Sequence, residues 1–411
     1  MSSAVSVSAP VSRKPVRIGV VGSGARIRRV LELLLAQDQA FVITAVHDPD
    51  ASSVESLRKQ LAPQASACAT SDELCRRADV DWVFIGSWNC FHAAQVREAF
   101  AAGKDVFCEK PLALSIDEAR AMHAAQTTSG RVFALGLVLR YSPLYRAVKS
   151  MLERGLIGGL VSFEFNETLD FNHGGYIHGN WRRKRDYAGT HLLEKCCHDL
   201  DLVLWLTGAQ PSRVASFGGC TFFRPENAGH ARRLGPSPEN GRPAYRAWTD
   251  PHGVDPFNND KDIVDHQVAL IEFGDGLRAS FHTNCNAALP ERRFYLLGTE
   301  GALRCDAMTG RIELRRIGWK EPVEVHNITN GSSHAGGDEL MARELADVLN
   351  LRRTPAAGFP EGVRSLALAE AIDTAMDEGR VVEMDALWAG LESEFGPLFT
   401  PAPSAAARFP A

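Results

Sequence analysis

The chain has 411 residues, 45% hydrophobic and 23% charged, a globular composition too long for one ordinary core and therefore expected to form two domains around a shared cleft. A formal net charge of -5 excludes nucleic acid as the main partner, because phosphate binding needs a basic field, and no apolar run approaches the roughly 18 residues of a membrane span. The nine cysteines include no C-x-x-C pair, so they read as reduced thiols of a cytoplasmic protein with neither a disulfide framework nor a metal site.

Residues 1–14 lack an apolar core after a charge, so a loose terminus is expected rather than a signal peptide. Val16–Val21 is an apolar strand running into Gly22-Ser23-Gly24-Ala25-Arg26-Ile27 and a helix with apolar Val30, Leu31, Leu34 and Leu35. Strand, glycine turn and helix in this order mark a dinucleotide-binding fold. Gly22 permits the tight turn, and Gly24 lets a pyrophosphate approach the positive helix end. Ile27 stands where the fingerprint has a third glycine, so the helix is expected to pack a little farther from the sheet. The next strand, Phe41–Val46, leads to Asp48, 24 positions after Gly24 and near the ~20 expected for a carboxylate on the adenosine ribose. That spacing favours NAD. Arg26 is the residue that would instead face the 2'-phosphate of NADP.

Ser52–Leu61 reads as a helix, Thr70-x-x-Glu73 as a capping box, and Trp82–Ile85 as another apolar strand, with Gly86–Phe91 the loop after it. A helix from His92 to Ala102 stops at Gly103. Strand Asp105–Cys108, a helix capped by Ser115 with Asp117 and Glu118, and strand Val132–Val138 complete the alternation of a doubly wound parallel sheet. Glu109, Lys110 and Pro111 fall just past a strand's carboxyl end, where open parallel sheets hold their ligands. Partial burial of Lys110 there can lower its pKa until it exchanges a proton near neutrality.

At this point GVVGSG, NCFH at 89–92, AGKDVFCEKPLA at 102–113 and a later H-D-L-D resemble the Gfo/Idh/MocA oxidoreductases, over roughly residues 15–380. The resemblance implies an α/β chain: a Rossmann domain over 15–139, then a substrate and oligomerisation domain over 140–385 with an open, mainly antiparallel sheet. It implies that Lys110 contacts substrate and nicotinamide, with Ser87, Asn89, His92 and Glu109 beside the cofactor. Trp88 departs from the family's loop pattern and is expected to reshape the nicotinamide side.

Arg140-Tyr141-Ser142-Pro143 reads as the hinge, followed by a helix over Pro143–Glu153 and a half-buried strand over Leu160–Thr168. Asp170–Gly189 reads as a long loop whose His173, Tyr176, His178, Trp181 and Arg182 suit either a sugar pocket or a surface flap. The helix Thr190–Thr207 places Glu194, His198 and Asp201 on one face. In the family pattern D-x-G-x-H, His198 matches the histidine, Glu194 replaces the aspartate and Cys196 replaces the glycine. His198 is then the expected base, Glu194 orients it or the substrate, and Lys110 holds the reacting oxygen. Arg140, Tyr141, Trp181, Arg182 and Lys195 are expected on the substrate side, Lys195 assisting Glu194 or pairing with Asp199.

Strands are expected at Arg213–Phe223, Ile263–Phe273, Leu277–Asn284 and Arg292–Leu297, in a sheet with one free face. The family often uses that face to associate, so a homo-oligomer is expected, with a monomer covered by its own tail as the alternative. Residues 224–260 read as an insertion that lids the pocket or reaches a neighbour. His334–Asp338 opens a helix over 339–351, a last helix spans Val363–Glu378, and 397–411 reads as a loose tail. The activity implied is NAD(P)-dependent oxidation of a secondary alcohol of a sugar, cyclitol or glycoside. The alternatives are glycoside elimination or hydrolysis assisted by retained NAD, and a catalytically silent NAD-binding protein.

Overall fold

The computed structural model describes residues 14–399 apart from 249, 251 and 329–333; the termini expected to be loose, 1–13 and 400–411, lie outside the described residues. The first unit is a six-stranded sheet of β1 (Val16–Val21), β2 (Phe41–His47), β3 (Ser66–Ala67), β4 (Trp82–Ile85), β5 (Asp105–Cys108) and β6 (Phe133–Leu135), in the order β3-β2-β1-β4-β5-β6 with every pairing parallel. Its central strands are buried on both faces, which is why β4 and, after Asp105, the Val106–Cys108 part of β5 are apolar runs. The order reverses between β1 and β4, and the crevice at their carboxyl ends is where such a sheet binds ligands. The caps read from the sequence form: Thr70 Oγ1 accepts from Glu73 N at 3.1 Å, and Ser115 Oγ from Glu118 N at 3.2 Å.

The second unit is a nine-stranded sheet, introduced in chain order as β7 (Leu160–Asp170), β8 (Pro211–Gly219), β9 (His266–Phe273), β10 (Arg278–Ala287), β11 (Arg293–Gly298), β12 (Gly301–Asp306), β13 (Arg311–Arg316), β14 (Glu324–Asn327) and β15 (Val382–Glu383). Its order is β14-β13-β12-β11-β7-β10-β9-β8-β15, antiparallel except between β7 and β10. One face packs on helices His191–Thr207 and Phe359–Glu378, whose Leu200, Leu204, Leu366 and Ile372 are fully buried or nearly so. Each such side chain contributes about 1.5–3 kcal/mol. The other face is open, with Phe217, Val268 and Leu270 exposed on adjacent strands.

Several expectations need correction. Asp170–Gly189 is not a loop: Asp170 accepts from the Asn172 and His173 amides and starts a helix, Phe171–His178, followed by short turns of helix at Trp181–Arg183 and Arg185–Ala188. Its two glycines hide the helical period, and they are required because a side chain at Gly174 or Gly175 would strike the Cys285 or Tyr245 carbonyl. β8 stops at Gly219 rather than Phe223 because the Asp265 carboxylate takes the amides of Thr221, Phe222 and Phe223, withdrawing them from any ladder. Ala244, Tyr245 and Phe257 of the insertion join Phe223 and Ile177 in a small second core. The last helical segment is longer than expected, and a further helix, Asp385–Phe395, follows β15. Residues 397–399 are not loose, since Leu398 is buried and Phe399 stands edge-on to Trp388. Helix Gly337–Leu351 returns to the first unit, where Arg352 pairs with Asp105 at 2.9 Å.

Candidate active site

The glycine turn has room for a dinucleotide. Gly22 adopts φ +78° and approaches the Ser87 backbone so closely that any side chain would collide. At Gly24 a Cβ would meet nothing within 4 Å, so the helix end at Ala25 opens onto a cradle that fits a pyrophosphate. Asp48 stands beside this turn, its Oδ2 accepting from Ser23 N at 2.6 Å and Ser23 Oγ at 3.1 Å. Arg26 does not face the ribose side. It turns toward the second unit, its Nε 2.8 Å from Glu109 Oε1 and its Nη1 on Asp338. Burial would lower the Arg26 pKa, but Glu109 and Asp338 outweigh it, so the net shift is upward. Ile27 is fully buried over Gly86, where an added Cβ would lie 2.5 Å from its own.

Past β5, Lys110 Nζ donates to the Glu194 carbonyl and stands 3.3 Å from Glu194 Oε1. Burial works to lower the Lys110 pKa, yet the Glu194 carboxylate more than offsets it and the net shift is upward. This overturns the expectation of a lysine titrating near neutrality; Lys110 is a fixed cation. Burial would raise Glu194, but Lys110 and Arg182 hold it well below the usual carboxylate range. Its Oε1 takes both cations, Arg182 Nε at 2.9 Å, while Oε2 makes no hydrogen bond among the described residues. Glu194 is therefore committed to Lys110 and Arg182 and does not orient His198. Burial, then the charges of Lys110 and Arg292, hold His198 far below the usual imidazole range, and its buried Nδ1 has no partner among the described residues. A neutral imidazole keeps the lone pair that a base requires.

The loop after β4 serves two purposes. His92 and Asn89 are structural in this state: His92 lies between the Pro111 carbonyl at 2.9 Å and the Ser87 carbonyl at 3.3 Å, and Asn89 donates to the Ala188 carbonyl at 2.8 Å. Ser87 Oγ donates to Gln95 at 2.6 Å. Trp88, by contrast, reaches across the cleft and stacks on Trp181, with ring centroids 5.0 Å apart and planes within 10°. Arg182 lies over the same Trp181 ring at 4.4 Å.

Two expected substrate residues are elsewhere. Arg140 is buried in a bidentate pair with Asp201 at 2.7 and 2.8 Å, and Tyr141 is buried beneath Arg146. Lys195 pairs with Glu167 at 3.5 Å, not with Asp199, which is held by Arg292 at 2.6 and 2.8 Å. Glu167, Cys196 and Asp199 lie close enough to suggest a metal cluster, but Arg292 also reaches Glu167 at 3.2 Å and already supplies the positive charge there. Sequence reasoning missed His334. Its ring lies 6.3 Å from that of His198, and its Nδ1 bonds Asp338 Oδ2 at 2.9 Å, the same carboxylate group that holds Arg26. The signal is the H-x-x-x-D spacing of His334–Asp338.

Comparison with known proteins decides the family. Residues 16–137 match the Gfo/Idh/MocA oxidoreductase family's NAD-binding Rossmann fold, and residues 149–384 match its C-terminal α/β domain. The chain belongs to the Gfo/Idh/MocA oxidoreductase family. Among relatives of this family member, the putative oxidoreductase YteT of Bacillus subtilis is 25% identical over 369 residues, 77% of this chain and 84% of that one. An inositol 2-dehydrogenase of Gluconacetobacter diazotrophicus is 34% identical over 195 residues, but the match spans only 53% of that protein and 46% of this one. A 2,7-anhydro-N-acetylneuraminate hydratase of Escherichia coli is 26% identical over 76% of this chain and 73% of its own. Levoglucosan dehydrogenase in complex with NADH and levoglucosan has the same fold, with a TM-score of 0.74 at 17% identity over 90% of this chain and 100% of that one. Among the described residues no helix is long and apolar enough to cross a membrane.

Proposed function

We propose that this oxidoreductase removes hydride from a secondary alcohol of a sugar, cyclitol or glycoside, with NAD preferred over NADP. The observation that carries the reading is the meeting of Lys110 from the nucleotide-binding unit with Glu194, on the same helix as His198, beside a glycine turn open to a dinucleotide. NAD, when bound, would supply the hydride acceptor; Gly22, Ser23, Gly24 and Asp48 would hold it. The chain's own residues then manage the proton and the charge. Lys110, held as a cation by Glu194, stabilises negative charge growing on the substrate oxygen. His198, held neutral, takes the hydroxyl proton. Glu194 keeps Lys110 in place and offers Oε2 to a second hydroxyl. The open face of the second sheet, with Phe217, Val268 and Leu270, supports association into a homo-oligomer.

The test is NAD reduction against a panel of sugars, inositols and glycosides. Lys110→Ala and His198→Ala are each expected to lower turnover at least ~100-fold with NADH binding nearly intact, and Lys195→Ala to cost much less. A mild His198→Ala beside an inactive Lys195→Ala would move the base to Lys195. The relative described as a hydratase favours a second reading, in which NAD is retained and the product is an eliminated or hydrated sugar. Product formed without net NADH selects that reading.

A further inference from the structure

Arg182 is a cation that alcohol oxidation does not require. It shares the single Glu194 Oε1 with Lys110, at 2.9 and 3.3 Å, so one carboxylate serves two positive charges. Its Nη1 reaches the Tyr176 hydroxyl at 3.2 Å, and its Nη2 makes no hydrogen bond among the described residues. The guanidinium is held flat by the Trp181 ring at 4.4 Å and the Tyr176 ring at 5.4 Å. Nearby, Lys195 has only Glu167 at 3.5 Å among the described residues, and Glu167 is already claimed by Arg292 at 3.2 Å.

Around helix 191–207 Lys110, Arg182, Lys195 and Arg292 pair with Glu194, Glu167 and Asp199, leaving one positive charge in excess. His173, His191 and His198 add none, because burial holds each below the usual imidazole range. On the nucleotide side the balance is reversed, with Arg26 facing both Glu109 and Asp338. The cleft is thus polarised, positive where helix 191–207 and the Trp181–Arg183 turn meet. A planar guanidinium with a free edge is suited to a carboxylate, and the partly exposed Lys195 adds attraction beside it.

We propose that the sugar taken by this site carries a carboxylate, of the uronic acid class, bound by Arg182 with Lys195 beside it. The inference rests on the sugar oxidoreductase reading above and names its substrate class. The experiment compares glucuronosides and galacturonosides with their own methyl esters, which share the ring and differ in charge, using the full chain with NAD. A charge-assisted contact predicts kcat/KM about ten- to a hundredfold higher for the acid than for the ester, with the advantage shrinking as salt is raised. Arg182→Gln should bring the ratio near one, and Arg182→Lys should restore part of it. If Arg182→Gln does not fold, the wild-type ratio and its salt dependence decide. Equal use of acid and ester, or an acid preference that survives Arg182→Gln, overturns the proposal. Ligand-induced thermal shift in the presence of NADH reads binding separately. Acids that bind without forming NADH would remove the hydride reading and leave the charge selection standing. Oxidation of neutral sugars with no acid bound would do the reverse, and no acid bound or oxidised at all also overturns the proposal.

Discussion

Asp48 is the residue through which cofactor choice should be decided. Its carboxylate is fixed at the turn by the Ser23 amide at 2.6 Å and the Asp50 amide at 2.9 Å, so it cannot swing away from an incoming 2'-phosphate without giving up both. Two unit charges about 4 Å apart repel by ~4 kcal/mol at an effective dielectric constant near 20. Halving that for partial exposure and salt leaves about 2 kcal/mol, or roughly thirtyfold in affinity. Arg26, the cation that the sequence offered for a 2'-phosphate, is spent on Glu109 and Asp338. Fluorescence titration with NADH and NADPH should therefore show NADH bound at least thirtyfold more tightly. Asp48→Asn keeps an acceptor for the Ser23 amide while removing the charge, and should shrink the preference to a few-fold. NADPH binding as tight as NADH in the wild type, or a preference unchanged in Asp48→Asn, would refute the argument.

Other consequences can be measured directly. Trp88→Ala removes the stack on Trp181, worth about 0.5–1.5 kcal/mol, and should raise substrate KM about three- to tenfold with little change in NADH affinity; an unchanged KM would mean the stack does not close over substrate. Asp201→Ala strands the buried Arg140 and should cost about 3–5 kcal/mol in denaturant unfolding, whereas a loss below 1 kcal/mol would show that water reaches the hinge. Acid should weaken the fold. His92, His178, His191 and His198 are buried and held neutral by burial, His178 down to about 3. Below the unfolded value near 6.5 the unfolded chain binds protons that the fold excludes, so each histidine withdraws up to about 1.4 kcal/mol per pH unit. Asp199, Asp201, Glu370 and Asp373 are pushed up by burial and oppose this, Asp199 and Asp373 to about 6, but His173 and His334, also held below the usual imidazole range by burial, join the four histidines and outnumber them. Unfolding free energy that is level from pH 7.5 to 5.5 would contradict the assignment.

The first unit was legible because its signals are local. A buried parallel strand is a continuous apolar run, its glycine turn is written in adjacent residues, and caps such as Ser115 and Thr70 act over three positions. Of the candidate site, the meeting of the Lys110 segment with Glu194 joins two stretches that the sequence singled out. What sequence could not provide was the partner of each charge. Arg140 meets Asp201, Lys195 meets Glu167, and Arg26 meets Asp338 over 312 positions, and none of these pairings has a periodicity. The charge state of Lys110 failed for the same reason, because it depends on a carboxylate 84 positions away.

Ile27 and Gly86 show what the dinucleotide fingerprint measures. The fingerprint asks for a small residue on the helix, yet the physical requirement is a sum over two surfaces: helix side chain plus strand-end side chain must fit one gap. Here the bulk sits on the helix and the vacancy on the loop, so residue 86 carries the constraint usually charged to residue 27. Size at the two positions should then be exchangeable but not independent. Gly86→Ala alone forces a clash, Ile27→Gly alone leaves a hole, and the two together return the contact to the usual arrangement, with a coupling that a double-mutant cycle would record as strongly non-additive.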